Sequence, residues 1–257
     1  MAPAVLAALS ALLVGCLGDP LTGDGQADVL QFSADVETGG RSVAGVGQDP
    51  RMALHPLEFM DGFGYVQEYL DATEQYVRVV PPREGVEPPR ITIYKNRQLW
   101  AEDAAKRDAA ETYLKIDRGG FEEDGEAVLY FIGDHDTRRL LRHEAFHAWV
   151  SVHAVGGRPP AFVEEGLAAW MENPGKPHYA RLDTLAAFDG ELPLETFAQV
   201  GAAAVADRPA LAQLYYAAAW ATADYLMEHR LGAMRGGDWS FDADEVRAHA
   251  AAMTRGR

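Results

Sequence analysis

One short motif, His143-Glu144-x-x-His147, constrains this chain more than any other part of the sequence. Residues four positions apart share one face of an α-helix, so both imidazoles can reach a single metal ion while Glu144 lies beside them. A helix is favoured here, because Asp136 or Thr137 can cap its first turn and apolar residues recur along the segment. Since an unpartnered buried imidazole is costly, a helix face that carries two of them favours a metal site.

A metal site of this kind needs a third ligand, and the first candidate is His153, six residues after His147. This is the third-histidine position of the metzincin pattern, which also has a glycine three residues after the second histidine to end the helix and return the chain to the metal. The sequence has the β-branched Val150 there, which does not supply such a turn. If the helix continues, His153 lies about 9 Å further along its axis and cannot share the ion.

The second candidate is the acidic pair Glu164-Glu165 in residues 159–170, which read Pro-Pro-Ala-Phe-Val-Glu-Glu-Gly-Leu-Ala-Ala-Trp. The two prolines end the first helix, and the alanine-rich stretch after them predicts a second one. Either glutamate can supply a ligand oxygen. If Glu165 faces the metal, Glu164 points about 100° away, and we expect it to be solvated or paired with an arginine such as Arg142 or Arg158.

The two helices together resemble the gluzincin metallopeptidases, specifically the bacterial peptidase MA-like group. In that group the glutamate directly before the glycine is the third zinc ligand, which corresponds to Glu165 here. A tyrosine of a late helix donates its hydroxyl to the developing oxyanion in gluzincins. The run Tyr-Ala-Ala-Ala-Trp assigns this role to Tyr216 ahead of Tyr215, with aromatic packing in the helix core as the alternative.

The resemblance implies an α+β, zincin-like fold: a small mixed sheet with an edge strand above the His-Glu-x-x-His helix, and a mainly helical C-terminal half. The alternation in residues 91–94 predicts a strand, and Leu99-Trp100 begins a helical stretch. Residues 127–132 occupy the place of the edge strand along which zincins hold an extended peptide; an ordinary buried strand is the alternative. From Phe59 onward, apolar residues recur every three or four positions, which predicts an amphipathic helix.

The expected ligands, two imidazoles and one carboxylate, leave one position of a tetrahedral zinc ion open for water, whose pKa falls toward about 7. Glu144 would accept that water's proton and pass it to the leaving amine. The sequence therefore predicts a zinc-dependent peptide-bond hydrolase, an endopeptidase. The alternative is an inactive zincin-fold lipoprotein that acts as a binding or assembly module; the intact Glu144 favours the enzyme, because a structural zinc needs no base beside it.

The N-terminal residues predict where the protein resides. Residues 4–14 form an uncharged apolar stretch too short to span a bilayer comfortably, and residues 13–16 read Leu-Val-Gly-Cys. This tetrapeptide resembles the bacterial lipobox, although no lysine or arginine precedes it. Cys16 is the only cysteine of the chain. We therefore expect a signal peptide over residues 1–15 and acyl chains on Cys16 that anchor the protein to the bacterial cell envelope.

The remaining composition sets the expected domains and partners. Residues 16–56 are rich in Gly, Asp, Ser and Thr and predict a flexible tether, in which residues 29–32 could still pair as a strand. Residues 57–257 then form one metallopeptidase domain. The net charge of −16 argues against nucleic-acid binding through phosphates. The expected partners are a peptide or protein substrate and, through the lipid, a membrane.

Overall fold

The computed structural model describes residues 29–33, 35–37, 40–42, 56–108, 110 and 119–255, and it places side chains from residue 64 onward. The fold is α+β, with a small mixed sheet and a mainly helical C-terminal half. The strands are β1 (Val29–Ser33), β2 (Asp35–Glu37), β3 (Gly40–Ser42), β4 (Arg90–Tyr94), β5 (Gly120–Glu123) and β6 (Glu126–Tyr130).

The described helices are α1 (Pro56–Val79), α2 (Arg97–Ala104), α3 (Asp134–His153), α4 (Ala161–Met171), α5 (Tyr179–Ala187), α6 (Leu194–Phe197), α7 (Pro209–His229), α8 (Leu231–Arg235) and α9 (Ala243–Thr254). A 3-10 turn at Ala202–Ala204 precedes α7. No helix in the described part of the chain is both long enough and apolar enough to cross a bilayer. These elements form two compact units, Met1–Thr73 with Glu84–Val152, and Glu74–Arg83 with His153–Arg257.

The sheet of the first unit has the strand order β1-β4-β6-β5. The central pair β4 and β6 is parallel, with Ile91 opposite Ala127, and the two outer strands are antiparallel to their neighbours. The prediction that residues 127–132 form the sheet edge is wrong, because β6 lies between β4 and β5. The outer strand on that side of the sheet is β5. All five residues of β6 are buried, as is typical of a strand with neighbours on both sides.

The strand β1 lies within residues 16–56, the segment expected to be a tether. It pairs antiparallel with β4, with Val29 opposite Tyr94. Residues 29–32 thus pair as a strand, which the sequence analysis allowed as an alternative to a tether. The expected signal peptide and Cys16 lie outside the described residues, and the domain boundaries stay predictions.

Trp100 from α2 anchors the strands that lead to the histidine motif. Its ring lies in a core cluster with Phe121 of β5 and with Val128 and Tyr130 of β6. The ring centroids of Trp100 and Phe121 are 5.7 Å apart, and the indole N–H donates to the backbone carbonyl of Val128 at 3.4 Å. Asn96 caps α2 by accepting from the backbone N–H of Leu99. The predicted strand at residues 91–94 and the helix after it are thus confirmed.

The predicted helix over the histidine motif is confirmed, and α3 runs without a break from Asp134 to His153. It begins ahead of the two residues expected to cap it. Thr137 lies in the first turn, where its hydroxyl accepts from the backbone N–H of Ile132 at 3.0 Å. Arg138 donates to both oxygens of Asp134, and these hydrogen bonds hold the pKa of Asp134 below its ordinary value. Arg142 pairs with Glu68 of α1.

The helix α1 forms where the apolar register from Phe59 predicted it. Along that register Leu70, Thr73 and Val80 are buried, whereas Val66 and Val77 are half-buried. The rings of three tyrosines outside the register are buried as well: Tyr65, Tyr69 and Tyr76. A long tyrosine can bury its ring from a flanking position of the helix.

In the second unit, α4 and α7 approach each other at one glycine. A Cβ atom on Gly166 would lie 2.1 Å from the backbone carbonyl oxygen of Ala219, so only glycine fits at this position. The indole N–H of Trp170 on α4 donates to Asp224 of α7 at 2.9 Å. The Glu-Gly-Leu-Ala segment therefore belongs to a helix whose small residues allow close packing against α7.

Candidate metal centre

The two histidines of the motif face one another on α3. Their Nε2 atoms are 3.3 Å apart, and their ring centroids are separated by 5.0 Å. Two Zn–N bonds of about 2.0–2.1 Å at a tetrahedral angle would place the nitrogens about 3.4 Å apart. The spacing of His143 and His147 therefore matches that of two imidazoles on one ion. His147 is buried and His143 is half-buried.

A carboxylate completes this group of possible metal ligands. His143, His147 and Glu165 form one group of described side chains that could hold a metal ion. Two imidazoles and a carboxylate form a donor set that suits zinc and leaves a tetrahedral position open. The residues present thus fit a divalent transition metal, and Glu165 is the glutamate that the sequence resemblance selected.

Glu164, the competing glutamate, has a different partner. Its carboxylate is buried and accepts two hydrogen bonds from the guanidinium of Arg158, at 3.1 Å from Nε and 2.5 Å from Nη2. The sequence named Arg158 as one possible partner. Because neighbouring residues of a helix point about 100° apart, α4 presents its two acidic side chains to different surroundings.

His153 is absent from the group of possible metal ligands that contains His143 and His147. It is the last residue of α3, and α3 continues through Val150 as the β-branched residue predicted. Its buried ring accepts from the backbone N–H of Arg83, which lies 3.3 Å from Nδ1. His153 therefore belongs to the structure of the second unit.

The candidate general base lies against the outer strand of the sheet. Glu144 is buried, and a Cβ atom on Gly120 of β5 would lie 2.9 Å from its Cγ and 2.6 Å from the carbonyl oxygen of Val128. A glycine at Gly120 therefore lets β5 approach Glu144. The sequence carries one signal for this contact, the Gly119-Gly120 pair just before a strand.

This contact predicts that Gly120→Ala impairs activity at unchanged zinc content. The added methyl group must displace either the Val128 backbone or the Glu144 side chain, and a misplaced catalytic group costs about 10- to 100-fold in rate. The candidate metal ligands are untouched. Gly232→Ala is the matched control, because a Cβ atom there meets nothing within 4 Å. Equal turnover by the two variants would contradict this role of Gly120.

The two neighbouring tyrosines of α7 have different surroundings. Tyr215 is fully buried, and its hydroxyl donates to the backbone carbonyl of Val200 at 3.3 Å. Burial and, to a smaller extent, the charge of Glu165 raise its pKa. Tyr216 is half-buried, and Arg181 lies over its ring at 5.9 Å. Tyr216 is the tyrosine that the sequence resemblance selected for the oxyanion.

Comparisons with known proteins add no further information on this site. No protein-family model, no curated protein and no solved structure matches the chain. The function is therefore argued from the residues themselves.

Proposed function

We propose that the protein is a zinc-dependent peptide-bond hydrolase of the gluzincin type, most simply an endopeptidase. The observation that carries the proposal is the 3.3 Å separation of the Nε2 atoms of His143 and His147 on α3, with Glu144 between them in sequence. Glu165, whose carboxylate belongs to the same group of possible ligands, is the proposed third zinc ligand. Zinc in such a site activates water and polarises a carbonyl group.

The side chains of the protein supply the proton transfers. Glu144 accepts a proton from the attacking water as its oxygen bonds to the carbonyl carbon of the substrate. When the C–N bond breaks, Glu144 returns this proton to the leaving amine, so it ends in its original ionised state. The burial of Glu144 against β5 holds it in one position for both transfers.

The outer strand β5 is the proposed platform for the substrate. Its partner on one side is β6, and it is the last strand of the sheet in the described part of the chain. An extended peptide can add to such an edge through backbone hydrogen bonds. Gly120 lies on this strand next to Glu144, so a peptide paired with β5 would run close to the general base.

The oxyanion-stabilising role is proposed for Tyr216, with Tyr215 as its matched comparison. If Tyr216 donates its hydroxyl in the transition state, Tyr216→Phe lowers kcat about 10- to 1000-fold and leaves zinc content and KM nearly unchanged. Tyr215→Phe removes the bond to the Val200 carbonyl and is expected to affect stability more than kcat. A reversed pattern would assign the role to Tyr215.

The proposed location is the bacterial cell envelope, with acyl chains on Cys16 as the anchor. The support is the Leu-Val-Gly-Cys sequence after an apolar stretch. Incorporation of labelled fatty acid into the wild type and its loss in Cys16→Ser is the expected result. Equal membrane association of both proteins after carbonate washing would contradict the lipid anchor.

Metal analysis combined with a peptide digest tests the proposed activity. Tag-free wild type and His147→Ala are purified, their zinc content is measured, and each is incubated with a mixed peptide library whose products are identified by mass spectrometry. We expect zinc and internal peptide cuts for the wild type alone. Zinc without any cleavage would support the inactive zincin-fold lipoprotein, and zinc-free wild type that takes up no added zinc would overturn both functions.

A further inference from the structure

A second group of possible metal ligands lies in the second unit, on α7 and α9. One ligand atom from each of Glu228, His229 and His249 lies within 4.8 Å of the other two. The two imidazole rings are nearly perpendicular, with centroids 5.7 Å apart. All three residues are exposed or half-buried, so an ion in solution can reach them.

Residues next to this group hold α7 and α9 together. Tyr225 of α7 lies one turn before His229, and its hydroxyl donates to the carboxylate of Glu245, which lies one turn before His249 on α9. The Tyr225 ring also contacts both imidazoles, at centroid distances of 5.0 Å and 5.9 Å. Val246, on the inner face of α9, is fully buried. The two histidines are therefore held near each other by packing.

His249 has the kind of supporting partner that metal-binding histidines have. Its Nε2 lies 3.0 Å from one carboxylate oxygen of Asp224, and the other oxygen accepts from the indole N–H of Trp170 at 2.9 Å. A carboxylate that orients an imidazole strengthens it as a ligand and is typical of metal sites. Since the Trp170 ring is almost fully buried, Asp224 is held in place by the helix core.

We propose that Glu228, His229 and His249 form a second metal site, for Zn²⁺ or a similar transition-metal ion, that joins α9 to α7. Two imidazoles with one carboxylate favour zinc, nickel or copper over calcium and magnesium, which prefer oxygen ligands. The nearby carboxylates of Asp224 and Glu245 add negative charge that attracts a cation. The proposal is independent of the proposed peptidase site, because it uses no residue of that site.

Zinc titration of metal-free, tag-free protein tests this second site. Binding is followed by calorimetry, and bound zinc is counted after dialysis, for the wild type, His229→Gln, His249→Gln, and a protein that carries both His143→Gln and His147→Gln. We expect two equivalents for the wild type and one for each variant. Asp224→Asn is expected to weaken zinc binding at the second site about 10- to 100-fold.

His135→Gln is the matched control, because His135 is exposed beside an acidic residue, Asp136, at 3.3 Å, and is absent from both groups of possible ligands. It should keep the wild-type stoichiometry. Zinc binding that is unchanged by His229→Gln and by His249→Gln would overturn the second site. The wild type could also bind one equivalent of zinc. If His229→Gln loses this zinc and the variant without His143 and His147 keeps it, the result supports the second site and contradicts the first.

Discussion

Replacement of Glu144 by glutamine is expected to reduce peptide cleavage by at least about 100-fold while zinc binding stays at the wild-type level. A glutamine amide has almost the size of the carboxylate but cannot accept the proton of the attacking water, and general-base catalysis contributes about 10²–10⁴-fold. Glu144 is absent from the group of possible ligands that His143, His147 and Glu165 form. The variant thus separates proton transfer from metal binding.

The measurement is the initial rate on peptides that the wild type cuts, together with zinc content and thermal unfolding of both proteins. The fold is expected to be retained, because glutamine fills the buried space next to Gly120. Wild-type turnover by Glu144→Gln would assign the base to another residue. Loss of zinc from this variant would instead show that Glu144 belongs to the ligand set.

The paired variants Glu165→Gln and Glu164→Gln are expected to fail in different ways. Glu165→Gln removes the charge of the proposed third ligand, so we expect loss of tightly bound zinc and of activity. We expect Glu164→Gln to keep zinc. It weakens the hydrogen bonds between this buried side chain and the half-exposed Arg158, which is expected to lower the free energy of unfolding by about 1–3 kcal/mol. The two residues are neighbours on α4 and carry the same charge, which makes each the control for the other.

Zinc affinity is measured by competition with a chromophoric chelator, and stability by urea unfolding of the metal-free proteins. If Glu164→Gln loses zinc and Glu165→Gln retains it, the ligand assignment is reversed. If both retain zinc with wild-type affinity, neither glutamate is the third ligand.

Local patterns predicted the elements that carry the site. The four-residue spacing of His143 and His147 sets a helix face, and the proline pair before residue 161 sets the start of α4. The choice of Glu165 over Glu164 came from the resemblance to gluzincins, in which the ligand glutamate directly precedes a glycine. Gly166 is where α4 meets the backbone of α7, and this contact fixes the rotation of α4.

The order of the strands in the sheet could not be predicted from local sequence patterns. Residues 127–132 were expected at the sheet edge, yet strand order depends on contacts between distant segments, and β5 takes the outer position. The approach of Gly120 to Glu144 follows from that order. The second ligand group was also missed, because Glu228-His229 and His249 lie on separate helices at a spacing that matches no fixed motif.

Return of zinc to the metal-free protein tests the central claim most directly. The rate of peptide cleavage is measured on chelator-stripped wild type, on the same protein after zinc is restored, and on Glu144→Gln at equal zinc content. Cleavage that is absent without metal, returns with zinc and stays absent in Glu144→Gln is the predicted result. Cleavage at the same rate with and without zinc, or none by the zinc-loaded wild type, would contradict a zinc-dependent peptidase.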